Sequence, residues 1–283
     1  MATFELAAFT DEYSPNFDEQ LVGMEKNGVR CMEMRGVDGV NVASLTPQKA
    51  AECKKKLDAK GFRVSSIGSP LGKISLCDPI EPHLEQLRSV IETAHTLGCD
   101  RIRVFSFYIP EGKKPEDCRG EVMERLGAML GIAESTGVIL CHENEKGIYG
   151  DTALRCLDIQ KQFDSKIKLV FDHANFICCD DEPYPYAFDM LRDYIFYMHI
   201  KDATADKHMA PAGHGIGRFA ETFAELNKYD RHFILTVEPH LQVFKGLDGL
   251  ESAHRTKVEN QYATSADAFK AAVDAIRGII TAL

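Results

Sequence analysis

Residues 137–145 read GVILCHENE. Val138, Ile139 and Leu140 form a short apolar run, and Glu143 and Glu145 follow two positions apart. A run this short reads as a buried strand rather than a helix. Alternate residues of a strand face the same way, which aims both carboxylates to one side. Like charges held that close repel, and burying either is costly without a compensating cation.

Seven more runs of this kind flank it: Phe4–Thr10, Val29–Met34, Arg63–Ile67, Arg101–Phe107, Lys168–Asp172, Ile195–Ile200 and His232–Glu238. With Gly137–His142 they make eight expected strands rich in Val, Ile, Leu and Phe, as in sheets covered on both faces. Helical patterns separate them. Thr46-Pro47 is an N-cap followed by the residue preformed for N1; Ala50, Cys53 and Leu57 recur at helical spacing, and Gly61 closes the turn. His83–Leu97 ends at Gly98 and Val122–Thr136 ends at Gly137. Asp151 or Thr152 is expected to cap the next helix, and Ser265 the last, whose stripe is Ala268, Ala271, Ala272, Ala275 and Ile276. Strand and helix alternating about eight times predict an α/β fold, a (β/α)8 TIM barrel, over residues 1–283 as a single domain. An open doubly wound sheet predicts a phosphate-binding glycine loop after the first strand. Asp11-Glu12-Tyr13-Ser14-Pro15 stands there instead. The weakly periodic stretch Leu241–Ala263 is expected to be a long loop with a short helix.

The chain carries 33 Lys+Arg against 43 Asp+Glu, a net charge of −10, with no basic run; this argues against nucleic acid and anionic membrane partners. Nine cysteines without a CxxC pair fit reduced thiols and a cytoplasmic location. The opening MATFELAAFTDEYS lacks the features of a signal peptide, and no stretch approaches the ~20 apolar residues of a membrane span.

Barrel active sites collect at the C-terminal strand ends. Successive expected strands end in Glu143, Asp172, His199 and Glu238. Three carboxylates and one imidazole on one rim call for a cation, and one nitrogen with several oxygens favours a divalent ion. Mn²⁺ comes first; Mg²⁺, Co²⁺ and Zn²⁺ are admissible. Glu145 is placed one pleat further out, nearer substrate. Taken singly, each residue has an ordinary alternative: a solvated strand-end Glu, a hydrogen-bonded core His, a helix-capping Asp. Lys201, on the strand face of His199, is positioned for a substrate oxygen. Arg103 either does likewise, binds a terminal anionic group, or forms a salt bridge to Glu33. Pro211–Arg218 is either an ordinary connection or a substrate lid carrying His214 and Arg218. His142-Glu143 does not extend to HExxH, because Lys146 stands at the second His position.

Glu143-Asn144, Asp172-His173-Ala174-Asn175-Phe176, His199-Ile200-Lys201-Asp202, Pro211-Ala212-Gly213-His214-Gly215 and Glu238, in that order, resemble the xylose-isomerase-like TIM barrels of the sugar phosphate isomerase/epimerase group. The resemblance implies metal ligands at Glu143, Asp172, His199 and Glu238, with Glu143 and Glu238 flanking the substrate as acid and base. It implies proton transfer on a keto sugar through a metal-stabilised enediolate. Asn175 departs from the pattern: many sugar epimerases of the group carry His three residues after the metal Asp, so Asn175 is the expected contact to a substrate hydroxyl. The same scaffold serves dehydratases of cyclic keto-polyols such as an inosose, and a non-catalytic sugar-binding protein is the alternative of another class. A homo-oligomer is compatible with exposed barrel helices.

Overall fold

The computed structural model describes residues 1–242, 257 and 262–283. Eight parallel strands close into one barrel: β1 (Thr3–Ala8), β2 (Cys31–Met34), β3 (Arg63–Ile67), β4 (Arg101–Val104), β5 (Ile139–Glu143), β6 (Lys168–Asp172), β7 (Ile195–Ile200) and β8 (His232–Val237). Each pairs with its sequence neighbours, and β1 pairs with β8 to complete the ring. The expected (β/α)8 barrel is therefore the observed fold. Helices surround it: α1 (Phe17–Lys26), α2 (Pro47–Lys60), α3 (Glu81–Leu97), α4 (Pro115–Glu134), α5 (Ala153–Gln162), α6 (Phe188–Leu191), α7 (Phe219–Leu226) and α8 (Ser265–Thr281).

Local chemistry sets these boundaries. The Thr46 side chain accepts from the N–H of Lys49, Pro47 opens α2, and Gly61 ends it at φ 66°. Helix α1, not expected from the apolar pattern, starts where the Asn16 side chain accepts from the N–H of Glu19. Helix α4 begins at Pro115, ahead of the expected Val122, because Pro supplies a preformed first turn. One expected cap is corrected: Thr264 rather than Ser265 caps α8, accepting from the N–H of Asp267. Thr152 stands at the N-cap of α5, as expected, but its side chain makes no capping bond; the N–H of Ala153 donates to Asp181 Oδ2 at 2.7 Å, and Asp151 pairs with Arg155. Strands β1 and β4 stop short of Thr10 and Phe107. Thr10–Glu12 turn into a short 3-10 helix, and the N–H groups of Phe105 and Phe107 bond the carbonyls of Leu71 and Gly72. The stretch expected as a loop at Leu241–Ala263 lies mostly outside the described residues.

The barrel floor is apolar: Ala7, Cys31, Cys141, Val170, Tyr197 and Ile234 pack together. Above it the interior turns polar. Glu33, Ser66, Arg103, His199 and Thr236 are all buried there. Register places Asp172 beside His199 and Thr236 beside His199 in neighbouring strands. The fold thus lifts the ionisable groups onto one layer just below the C-terminal mouth.

His83, on α3, accepts a hydrogen bond from the N–H of Gly72 at 2.7 Å and holds the loop after β3. Burial, with the Arg125 charge adding, drops its pKa to about 4. An unfolded His titrates near 6.5, so below that pH the unfolded chain binds the extra proton and stability falls until about pH 4. Wild-type protein is expected to lose roughly 3 kcal/mol more than His83→Gln between pH 6.5 and 4, read from urea midpoints. Parallel curves for the two proteins would refute this.

Candidate active site

Ten residues line a pocket at the barrel mouth: Arg35, Lys73, Arg103, Phe105, Glu143, Glu145, Asn175, Lys201, Glu238 and His240. Beneath it, single atoms of Glu143, Asp172, His199 and Glu238 all lie within 4.8 Å of one another. Opposite donors around a cation with bonds of about 2.1 Å stand roughly 4.2 Å apart, so this spread suits one ion. His199 Nδ1 is 3.0 Å from Glu143 Oε1 and 3.4 Å from Glu238 Oε2, the spacing of adjacent donors in such a shell.

The imidazole is oriented from behind. His199 Nε2 is 3.1 Å from Glu33 Oε2. An ionised carboxylate only accepts, so Nε2 carries the proton and Nδ1 faces the acids. Glu33 is itself fixed by the hydroxyls of Tyr197 at 3.0 Å and Thr236 at 2.9 Å. Burial works against its charge, but the His199 ring, the Arg103 charge and the Thr236 hydroxyl outweigh that and hold its pKa below the usual range.

The donor set asks for more positive charge than the side chains supply. Glu143 Oε2, Asp172 Oδ2 and His199 Nδ1 are buried without a hydrogen-bond partner among the described residues. Burial, with the charges of Glu143 and Glu238 adding, pushes Asp172 up to about 7 against the pull of Lys201. Burial opposes a charged His199, yet Glu143 and Glu33 raise its pKa well above the ordinary value. Protons are thus drawn to the point where the four donors converge. Three oxygens and one nitrogen converging on one point fit a divalent ion.

The remaining expected residues divide. Lys201 lies in the site, 3.1 Å from both Asp172 Oδ2 and Glu238 Oε2. Asn175 donates to Glu143 Oε1 at 3.1 Å and to the Asn144 carbonyl at 2.9 Å. Glu145 lines the mouth and pairs with Lys73 at 3.0 Å. Arg103 does not bridge to Glu33; its Nη1 lies 3.3 Å from Glu143 Oε2. His214 and Arg218 do not line this pocket: His214 is exposed, and Arg218 pairs with Glu221. The physical reason is Asp202. Its carboxylate accepts from the N–H groups of Gly213, Gly215 and Gly217, each at 2.9 Å, and of Ala203 at 2.8 Å. A Cβ at Gly215 would stand 2.2 Å from the Ala203 carbonyl oxygen, so glycine lets the loop close onto the acid. The segment is pinned beside the barrel rather than swung across it.

Sequence reasoning missed Arg35. This buried guanidinium reaches Glu238 Oε1 at 2.9 Å, Asp11 at 2.9 and 3.0 Å, and Glu12 Oε1 at 3.0 Å, with the Phe9 ring 4.2 Å away. It directly follows the apolar strand β2, the same signal that marked Glu143 and Glu238. Burial opposes ionised Glu238, but Lys201, His240 and His199 hold its pKa well below the usual carboxylate range. His240, whose N–H donates to Glu12 Oε2 at 2.7 Å, is buried at the rim rather than solvent-facing.

Fold and rim together define a TIM barrel with an acid-and-histidine cluster at the C-terminal ends of β5 to β8. The chain belongs to the xylose isomerase-like TIM barrel family, whose profile matches residues 24–272. No curated protein matches the sequence. Among solved structures, a D-allulose 3-epimerase from Methylomonas sp. in complex with D-allulose superposes with TM-score 0.74 at 18% identity, covering 97% of this chain and 96% of that one. The 3-keto-D-glucoside 4-epimerase YcjR from E. coli gives 0.70 at 16%, covering 99% and 100%. The IOLI protein with a bound zinc atom gives 0.74 at 16%, covering 98% of each chain. No helix among the described residues is long and apolar enough to cross a membrane.

Proposed function

We propose that the protein is a divalent-metal-dependent isomerase or epimerase of a keto sugar or sugar derivative. The observation that carries this reading is the convergence of Glu143, Asp172, His199 and Glu238 within 4.8 Å at the floor of a polar pocket. Family membership and the two epimerases among the structural relatives support it. A divalent ion held by these four residues would supply Lewis acidity toward the carbonyl and neighbouring hydroxyl oxygens of the substrate. Mn²⁺ is our first assignment for the oxygen-rich set, and the zinc-bearing relative keeps Zn²⁺ beside it.

The chain's own groups handle the proton. Glu143 and Glu238 are the pair that removes it from the carbon beside the carbonyl and returns it, to the opposite face for epimerisation or to the next carbon for isomerisation. Arg35 and Lys201 grip one oxygen each of Glu238 and keep it ionised between turnovers. Glu143 Oε2 carries no hydrogen bond and is the oxygen open to a proton. Asn175 fixes the other oxygen of Glu143, and Lys201 is placed to hold a substrate oxygen.

Incubating Mn²⁺-loaded protein with a panel of keto sugars in D₂O tests the reading. Deuterium is expected at one carbon of a substrate and its product. A new conjugated C=C absorbance would assign the site to dehydration instead. Binding of sugars with neither exchange nor reaction would leave a sugar-binding protein and end the catalytic reading.

A further inference from the structure

We infer that Asn144 is a positioning residue for the metal centre: its side-chain amide clasps the main chain of Asp172 and so fixes Glu143 and Asp172 at the separation that one ion requires. The inference rests on the proposed function for the ion. It goes beyond it by assigning a residue outside the four converging donors and outside the pocket lining. Glu143 and Asp172 come from neighbouring strands, and their like charges push them apart. Main-chain pairing between β5 and β6 runs only as far as Glu143 opposite Val170. Asp172 stands two residues beyond that last rung. There the side chain of Asn144 takes over. Its Oδ1 accepts from the N–H of Asp172 at 2.9 Å, and its Nδ2 donates to the Asp172 carbonyl at 2.9 Å. A side-chain amide carries the same donor and acceptor as a peptide group, so one Asn supplies the missing rung.

The clasp is braced from the far side. Asn175 Nδ2 donates to the Asn144 carbonyl at 2.9 Å and to Glu143 Oε1 at 3.1 Å, while the Asn175 N–H donates to Asp172 Oδ1 at 2.9 Å. Asp172 is therefore held at its N–H, its carbonyl and one carboxylate oxygen. Its Oδ2, 3.1 Å from Lys201 Nζ, is the oxygen without a main-chain partner. Asn144 is fully buried, and the Oδ1 and Nδ2 of its side chain are both spent on Asp172. Its work is thus done on a donor rather than on substrate. Two acids that would otherwise splay are prearranged, which leaves less ordering for the ion to impose. Losing the clasp should weaken the ion's hold and change the arrangement of the donors around it.

Titrating the chelator-treated full chain with Mn²⁺ and with Co²⁺ tests this in two variants. Asn144→Leu removes both bonds to Asp172. Asn144→Asp keeps the shape of the side chain and the acceptor for the Asp172 N–H, but puts a second oxygen against the Asp172 carbonyl. The Kd of each ion is expected to rise roughly 10–100-fold in both, the range for a group behind a ligand. At saturating Co²⁺ the visible d–d absorption is expected to differ from wild type in position or intensity, since it reports the geometry of the donor atoms. A residue that served packing alone would lower Tm and leave the spectrum of the loaded site unchanged. Should Asn144→Leu fail to fold by circular dichroism, the isosteric Asn144→Asp carries the test. A Kd within about threefold of wild type, or a wild-type Co²⁺ spectrum, in Asn144→Asp would overturn the inference. Wild-type protein that binds neither ion would overturn the metal reading together with this one. Wild-type binding that survives both substitutions unchanged would remove this one alone.

Discussion

Glu238→Gln is expected to lower turnover on the confirmed substrate by roughly 10³-fold or more, with the fold retained. General acid–base groups supply about 10²–10⁴-fold, and Glu238 is also one of the four converging donors. The carboxamide keeps the size of the side chain but loses its charge. Its amide nitrogen would also face Arg35 or Lys201, which now donate to the carboxylate oxygens at 2.9 and 3.1 Å. Glu143→Gln is expected to fall as far, since its Oε1 meets His199 and Asn175 and its Oε2 is the open oxygen. Turnover measured beside metal content and circular dichroism separates chemistry from folding. Near-normal rates in both variants would end the mechanism.

Removing the metal is expected to have the second large effect. After dialysis against a chelator, adding Mn²⁺ at about 100 times its Kd should stabilise the fold by about 2.7 kcal/mol. For a chain of this size that is a rise in Tm of roughly 4–5 °C. The shift arises because the cation relieves three mutually repelling buried carboxylates. Asp172→Asn and His199→Gln each remove one donor and should abolish most of it. Glu33 offers a graded control, because a group behind a ligand typically costs 10–100-fold in metal affinity when replaced. No shift with Mn²⁺, Mg²⁺, Co²⁺ or Zn²⁺ would remove the metal from the account.

The sequence was most readable where chemistry follows an apolar run. Glu143, Asp172, His199 and Glu238 end or directly follow strands, so the alternation that identified the barrel also placed them on one rim. Applying the same rule to β2 would have found Arg35, the residue after Met34. Glu33 was visible as an acid inside an apolar strand, though its partner is His199 rather than Arg103. Lys73 had no such signal: it sits six residues past the end of β3, and only the tertiary turn at Gly72 brings it to Phe105. The glycines of 213–217 were not legible from spacing alone. What they provide is close approach of their N–H groups to Asp202, a long-range contact that no local pattern encodes. Helix starts were read late or a residue off where Pro115 or Thr264 decides them.

Closure of the ring from β1 to β8 also bears on how copies of this chain can meet. Every barrel strand has a hydrogen-bonded neighbour on each side, so no row of unsatisfied main-chain groups invites a strand from another molecule. Self-association through the barrel sheet is closed off, which leaves the outward helix faces and the loops as the surfaces on which a dimer would have to be built.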